Sequence, residues 1–192
     1  MTKSELRKLY LEKRRRLSAV EHADLSLKIA EHFFSNFDLV SAAKVHCFIS
    51  LKHTGEVETL DIFEHLWSRF PHIITVAPRI NDQTGEIDAL PFNSATQIVE
   101  NKWKIPEPAD GAVIEPNDID VVLVPLLCFD MRGYRVGYGK GFYDKFLTRC
   151  RPDCLKIGVS FFPPVERIDD VHDSDVPLDS CITPDGLIMP NQ

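Results

Sequence analysis

VPLLCFDMRGYRVGYGKGFYDKFL, residues 124–147, is the stretch of the chain that decides its fold. An apolar run predicts a buried strand and is followed by a turn at residues 130–133. Three glycines then alternate with Tyr138 and Lys140, and the next residues predict the start of a helix. Glycines let backbone N–H groups face a ligand, and a helix N-terminus favours negative charge. The pattern therefore predicts a phosphate site.

The glycine loop matches neither of two common phosphate-binding motifs. A Walker A loop has the form GxxxxGK[ST], but Gly133 lies one residue too far from Gly139, and Gly141 follows Lys140. The dinucleotide fingerprint GxGxxG also differs from the GxGxG found here. The alternative is a plain glycine-rich turn with a solvated lysine. Phosphate binding is favoured because the glycines, the lysine and Asp144 occur together.

Bulk composition limits the function classes. The chain has 192 residues and 44% hydrophobic content, which predicts one domain with a sizeable core. A formal net charge of -7 argues against nucleic-acid binding. No apolar stretch approaches a membrane span, and the first residues lack the apolar region of a signal peptide. Five scattered cysteines without a CxxC pair indicate reduced thiols, no structural zinc and a cytoplasmic location.

Hydrophobic periodicity predicts an α/β fold of three α/β/α layers with a mostly parallel, Rossmann-like sheet. The predicted helices cover residues 3–16, 19–37, 58–70 and 142–150. The predicted strands cover residues 44–51, 73–77, 86–92, 121–127, 155–160 and 186–189. Ligands bind at the carboxyl ends of strands in such sheets, so the loops after Leu51, Ala77 and Leu127 are expected to share one rim.

Several charged residues are candidates for the site, and each has a simpler alternative. Lys3 and Arg7 share one helical face and could clamp a phosphate, although spacing alone favours a solvated basic face for them and for the basic run 13–16. Glu56 could accept hydrogen bonds from an amino-substituted heterocycle, or could be an exposed turn acid. Asp144 could ligate a phosphate-bridging Mg²⁺, or could only complement a helix dipole. The acidic stretch 173–179 is either a polar loop or the source of a second magnesium carboxylate.

Residues 133–147 closely resemble the signature of the 5-formyltetrahydrofolate cyclo-ligase family, also called methenyltetrahydrofolate synthetases. The resemblance extends in the family's order to the N-terminal Lys-Ser-Glu-Leu-Arg, to Gly55-Glu56-Val57, and to residues 103–108 and 172–179. It covers nearly the whole chain and implies a single cyclo-ligase domain over residues 1–192. Two positions vary: Tyr138 stands where some members have Arg, and Phe142 replaces a common Tyr.

The resemblance implies conversion of 5-formyltetrahydrofolate to 5,10-methenyltetrahydrofolate through a phosphorylated formyl intermediate, with ATP and Mg²⁺ as cofactors and with release of ADP and phosphate. It implies ATP contacts by Lys3, Arg7, Arg135, Val136, Gly137, Tyr138, Gly139, Lys140, Gly141, Phe142 and Tyr143. Lys140 and Arg135 would be catalytic, Leu51 and Glu56 would bind the folate, and Asp144 and Asp175 would serve the magnesium ion.

We expect a monomer whose partners are these small molecules, with no nucleic acid and no membrane. An alternative of another class is a non-catalytic sensor that binds a nucleotide or other phosphorylated ligand on the same fold, because loop binding needs only the backbone amides and Lys140. RNA binding through the basic N-terminal helix is a third possibility, against which the acidic balance argues.

Overall fold

The computed structural model describes residues 1–51 and 54–190. The helices are α1 (Lys3–Arg15), α2 (Ala19–Asn36), α3 (Leu60–Arg69) and α4 (Phe142–Leu147). The strands are β1 (Lys44–His46), β2 (Ile74–Ile80), β3 (Ile87–Pro91), β4 (Ile98–Glu100), β5 (Pro106–Pro108), β6 (Val121–Pro125), β7 (Cys128–Phe129), β8 (Arg135–Val136), β9 (Leu155–Val159), β10 (Ser180–Thr183) and β11 (Gly186–Ile188). No helix in these two ranges is long and apolar enough to cross a bilayer.

Seven strands form the main sheet in the order β11-β10-β9-β6-β1-β2-β3. The five inner strands run parallel, and β3 and β11 pair antiparallel at the two edges. Taken in chain order, the parallel strands are arranged 2-1-3-4-5, one of the two common doubly wound orders. The order reverses between β1 and β6, and such a reversal opens a ligand-binding crevice at the carboxyl ends of the strands.

Alternate residues of the central strand β6 build two separate cores. Val121 and Leu123 pack with α2 and α3 on one face of the sheet, whereas Val122 and Val124 pack with α4 on the other. Burial on both faces is typical of a parallel strand and explains the uninterrupted apolar run in the sequence. The predicted α/β class with helices on both faces is confirmed.

Helix α1 lies apart from these two layers, against the small hairpin of β7 and β8. Leu6 and Tyr10 pack with Cys128 and Val136 in a third apolar cluster. A capping box at Thr2 starts the helix, satisfying backbone groups that the first turn leaves free. This packing brings the basic residues of α1 next to the glycine loop.

Several predicted boundaries are wrong. β1 ends at His46 and not at Leu51. The chain beyond it is held by the N-cap of α3, because the Thr59 hydroxyl donates to the Phe48 carbonyl oxygen at 2.7 Å. β2 continues through Pro78 to Ile80, since β1 pairs with it only as far as Val76 and the rest of β2 pairs with β3 alone, where a proline is tolerated. α4 ends at Leu147 instead of Cys150, shortly before Pro152, which disfavours helical geometry. The buried strand β10 was not predicted.

The sheet buries an unusual polar residue, His46. Its two ring nitrogens have no hydrogen-bond partner within the described part of the chain, and the ring packs against Tyr143 and Phe146. Burial lowers the pKa of His46 to about 3, so the folded protein keeps the ring neutral.

Acid is therefore expected to destabilise the protein through His46. Below about pH 6.5 the His46 ring binds a proton in the unfolded chain but not in the folded chain. The free energy of unfolding therefore falls as the pH drops from about 6.5 towards 3. At pH 5 this linkage costs about 2 kcal/mol. Urea unfolding at pH 7 and pH 5 should show that His46→Leu removes most of this loss. The exposed control His72→Leu should retain it, and an equal pH dependence in both variants would contradict the assignment.

Candidate active site

A cavity of about 480 Å³ opens at the carboxyl ends of β1, β2 and β6. The loops after these strands meet there, as predicted. It is lined by nearly all the predicted site residues: Lys3, Arg7, Leu51, Glu56, Arg135, Gly137, Tyr138, Gly139, Lys140, Gly141, Phe142, Tyr143, Asp144 and Asp175. Val136 is the exception because its side chain is buried against α1. Any contact of Val136 with a ligand would have to use main-chain atoms.

The turn before the glycine loop is organised by Asp130, which is fully buried. Its carboxylate accepts from the backbone N–H groups of Arg132 and Tyr134 and from the Arg132 guanidinium, at distances of 2.7–3.2 Å. Gly133 has a φ of +84°, and its carbonyl oxygen accepts from Leu178 N at 2.9 Å. The turn thus joins the glycine loop to the acidic segment that carries Asp175.

Arg7 lies directly on the glycine loop. Its Nε donates to the Gly137 carbonyl oxygen at 2.9 Å. A Cβ at position 139 would lie 3.1 Å from the Arg7 guanidinium carbon, and Gly139 has a φ of +89°, a conformation that disfavours other residues. Gly139 therefore permits the close approach of Arg7. Lys140 is exposed at the tip of the loop and forms no ion pair within the described residues.

The helix after the loop contributes less positive potential than the sequence pattern suggested. α4 has only six residues, and its N-cap Gly141 provides no side-chain cap. A short helix aligns few peptide dipoles, so the field at its N-terminus is weak. Side-chain cations such as Arg7 and Lys140 must therefore supply most of the positive charge at the loop.

Two ion pairs cross the floor of the site. Lys3 Nζ lies 2.5 Å from the Asp175 carboxylate, with both side chains mostly buried. Arg135 Nη2 lies 2.7 Å from Asp144, and Nη1 donates to the Val176 carbonyl oxygen at 2.6 Å. Burial lowers the pKa of Arg135, and the nearby Asp144 charge opposes that shift. Lys3 and Arg135 thus have anionic partners before any ligand binds. The spacing of Lys3 and Arg7 alone had favoured a solvated basic face, but the Lys3 side chain is mostly buried.

The two predicted magnesium carboxylates can accommodate a cation. Asp144 uses Oδ1 for Arg135 and for Val176 N, and Asp175 uses Oδ2 for Lys3 and His172 N. Within the described residues, the second oxygen of each accepts no hydrogen bond. No group of three or more His, Cys, Asp or Glu side chains in that part of the chain forms a metal cluster. This arrangement fits Mg²⁺, which commonly takes one or two carboxylates and completes its shell with phosphate oxygens and water.

Glu56 is a buried carboxylate in the cavity wall, with 4% of its surface exposed. Its Oε2 accepts from Leu51 N at 2.8 Å. Burial raises the pKa of Glu56, while the Leu51 hydrogen bond, the Arg14 charge and the Tyr138 hydroxyl lower it. The alternative that Glu56 is an exposed turn acid is wrong.

The remaining wall is apolar, and only Phe142 among its residues was predicted as a site residue from the sequence. It is formed by Ile80, Ile87, Trp103, Ile105 and Phe142. Glu107 lies beside it and accepts from Ile80 N at 2.8 Å and from Asn101 Nδ2 at 2.7 Å. The hairpin of β4 and β5 carries Trp103 and Glu107 and folds back over β2. A planar heterocycle would find both apolar walls and hydrogen-bonding acids here.

The sequence and the fold were compared with known protein families, relatives and solved structures, and the matches agree with the site described above. A model described as the 5-formyltetrahydrofolate cyclo-ligase family matches residues 1–184. The chain belongs to this family. A 5-formyltetrahydrofolate cyclo-ligase from Mycoplasma genitalium is 32% identical over 180 residues, which cover 93% of this chain and 97% of that protein.

Solved structures of cyclo-ligases also share the fold. The NMR structure of the 5,10-methenyltetrahydrofolate synthetase from Aquifex aeolicus aligns with a TM-score of 0.84 and 31% identity, covering 100% of this chain and 94% of that one. A 5,10-methenyltetrahydrofolate synthetase from Mycoplasma pneumoniae aligns with a TM-score of 0.76 and 28% identity, covering 96% and 99%. The family resemblance found in the motifs is therefore confirmed over the whole chain.

Within this cyclo-ligase family member, two residues near Glu56 were missed by the sequence analysis. Arg14 belongs to the basic run 13–16, yet only 4% of its surface is exposed. His22 Nε2 donates to the Glu56 carbonyl oxygen at 2.6 Å. Nothing in the spacing of Arg14 separates it from the solvated arginines beside it. Its role becomes visible only when α1 is packed on the sheet.

The turn at Gly133 is expected to be intolerant of a side chain. A Cβ there would lie 2.6 Å from the Leu178 carbonyl oxygen, which belongs to backbone and cannot easily move. Gly133→Ala should lower the free energy of unfolding by about 2–3 kcal/mol, through the positive φ and the clash together. Gly85→Ala shares the positive φ but meets no atom within 4 Å, so it should cost only about 1 kcal/mol. Equal losses in urea unfolding would show that the close approach is unimportant.

Proposed function

We propose that this chain catalyses the ATP-dependent conversion of 5-formyltetrahydrofolate to 5,10-methenyltetrahydrofolate, with release of ADP and phosphate. One observation carries the proposal: a single cavity joins a cationic glycine loop to an apolar chamber that contains the buried Glu56 carboxylate. The loop suits a polyphosphate, and the chamber suits a planar heterocycle that donates hydrogen bonds. The names of the relatives agree with this chemistry.

The proposed reaction has two steps. The formyl oxygen attacks the γ-phosphorus of ATP, the bond to the bridging oxygen breaks, and ADP leaves. The nitrogen at position 10 then attacks the activated formyl carbon, the carbon–oxygen bond breaks and phosphate departs. The proton on that nitrogen is released, which leaves the methenyl cation. Phosphorylation is needed because the oxygen of a formamide is a poor leaving group.

The protein's part in these steps is positioning and electrostatic stabilisation, which are the main needs of phosphoryl transfer. Arg7 and Lys140 lie at the glycine loop, where they would face the phosphates. Arg135 holds Asp144 in place and adds positive charge at the base of the loop. Loop amides from Gly137 to Gly141 would donate hydrogen bonds to phosphate oxygens.

Mg²⁺ is part of this proposal. Asp144 and Asp175 would hold it through the carboxylate oxygens that are not engaged by Arg135 and Lys3. When bound, the ion would neutralise negative charge on the phosphates. The carboxylates themselves hold Lys3 and Arg135 in place in the cavity wall.

On the folate side, Glu56 would accept hydrogen bonds from the amino-substituted ring, and Leu51 would lie against the ring. The apolar wall near Trp103 would exclude water from the reacting carbon. We further propose that residues 1–192 act as a single domain, that the protein is a cytoplasmic monomer, and that it binds no nucleic acid.

The deciding experiment is an assay of purified protein with 5-formyltetrahydrofolate, ATP and Mg²⁺, following the near-ultraviolet absorbance of the methenyl product. Absorbance should rise only when ATP and the divalent ion are both present. Thermal stabilisation by ATP without any product would instead support the non-catalytic sensor. Absence of both responses would overturn ligand binding at this loop.

Lys140→Ala should raise the KM for ATP about tenfold, because the exposed ammonium is free to meet the phosphates. The melting temperature should stay unchanged, since Lys140 makes no ion pair in the described chain. Lys145→Ala is a matched control because Lys145 is also exposed but lies on α4 outside the cavity. Equal KM values in the two variants would remove Lys140 from the site.

A further inference from the structure

Arg14 is the buried member of an otherwise solvated basic run. Its neighbours Lys13, Arg15 and Arg16 are exposed, whereas 4% of Arg14 is accessible. Its Nη1 donates to the Tyr138 hydroxyl at 3.0 Å, and its Nη2 donates to the Leu126 carbonyl oxygen. Burying an arginine is costly, so the contacts it makes indicate what it does.

The contact with Tyr138 reaches into the cavity. Tyr138 belongs to the glycine loop and lines the cavity, whereas Arg14 lies behind it and does not. The Tyr138 hydroxyl lies near the Glu56 carboxylate and helps to lower the pKa of Glu56. The Tyr138 hydroxyl is therefore bonded to Arg14 and lies near the acid on the folate side.

The backbone around Glu56 is also held by the N-terminal helices. His22 of α2 donates to the Glu56 carbonyl oxygen at 2.6 Å. On the α1 side, a Cβ at Gly55 would lie 3.9 Å from Arg14 Cβ, so this turn packs directly against α1. Leu51 N fixes one carboxylate oxygen at 2.8 Å. Both the main chain and the carboxylate of Glu56 are thus constrained before any ligand binds.

We propose that Arg14 and Tyr138 are positioning residues for the folate site: Arg14, packed behind the turn at Gly55 and bonded to the Tyr138 hydroxyl, holds that hydroxyl beside the Glu56 carboxylate. This inference rests on the proposed function. It assigns Tyr138 to folate recognition, in contrast to the ATP contact that its place in the glycine loop implies.

Electrostatics explains why such support is needed. Burial raises the pKa of Glu56, so a carboxylate without partners would tend to protonate and lose its capacity as a double acceptor. Arg14 and Tyr138 oppose that shift. The titratable or charged side chains near Glu56 in the described residues include Arg14, His22, Tyr138 and Tyr143. Of these, Arg14 supplies positive charge to the carboxylate.

Tyr138→Phe removes only the hydroxyl and is the primary test. We expect the KM for 5-formyltetrahydrofolate to rise about tenfold at pH 7, with the KM for ATP changed less than twofold. The acid limb of kcat/KM for the folate should move to higher pH, because Glu56 loses a group that lowers its pKa. Tyr134→Phe is the control, since its ring stacks beside Arg132 outside the cavity.

Arg14→Met keeps the length of the side chain and removes its charge, and should shift the same acid limb further than Tyr138→Phe does. Arg14→Lys should recover part of the shift, and exposed Arg15→Met should leave it at the wild-type value. If Arg14→Met does not fold, as judged by circular dichroism, Tyr138→Phe decides the question alone.

The outcomes separate the two proposals. An active wild type whose Tyr138→Phe variant keeps the wild-type folate KM and acid limb would overturn the positioning role alone. A rise in the ATP KM with an unchanged folate KM would also overturn it, and would return Tyr138 to the phosphate side. A wild type that binds ATP but forms no methenyl product would overturn the proposed function itself.

Discussion

The close packing of α1 on the glycine loop is the contact on which the rest of the site depends. Arg7 donates to the Gly137 carbonyl oxygen, and the missing Cβ of Gly139 leaves room for its guanidinium. The same helix carries Lys3 at its first residue and Arg14 near its last, so docking it once sets three cations. Lys3 lines the cavity at the acidic segment and Arg7 lines it at the glycine loop, whereas Arg14 lies behind the cavity wall.

These cations are held in two different ways. Lys3 and Arg135 are paired with carboxylates, which fixes them but reduces the net charge that they offer to a ligand. Arg7 and Lys140 form no ion pair in the described chain and keep their full charge. Because the helix behind the loop is short, these two unpaired cations carry much of the attraction for an anion. The division lets one set of residues build the site while the other responds to the ligand.

The sequence predicted the parallel sheet and the common rim because both follow from local patterns. The apolar run of β6 and the loops after the strands are visible without tertiary information. β10 was missed because only Cys181 and Ile182 of its four residues are apolar, although the polar Ser180 and Thr183 at its ends are buried as well. β2 was cut short because Pro78 is tolerated only once the neighbouring strand has ended. Each error depends on which strand lies beside which, and that is a property of the assembled sheet.

The surroundings of Glu56 also could not be predicted from local sequence patterns. The sequence placed Glu56 on the rim, but its environment depends on α1 and α2, which are far away along the chain. A buried acid is a strong acceptor only while it stays ionised, and burial works against ionisation. The fold meets both needs by bringing a buried arginine behind a tyrosine of the glycine loop. On the proposals made above, Tyr138 gives one loop two roles: its glycines and Lys140 would face the phosphates, and its aromatic hydroxyl would support the acid. A residue in a phosphate loop need not bind phosphate, and the side-chain hydrogen bond recorded for Tyr138 in the described chain joins it to Arg14.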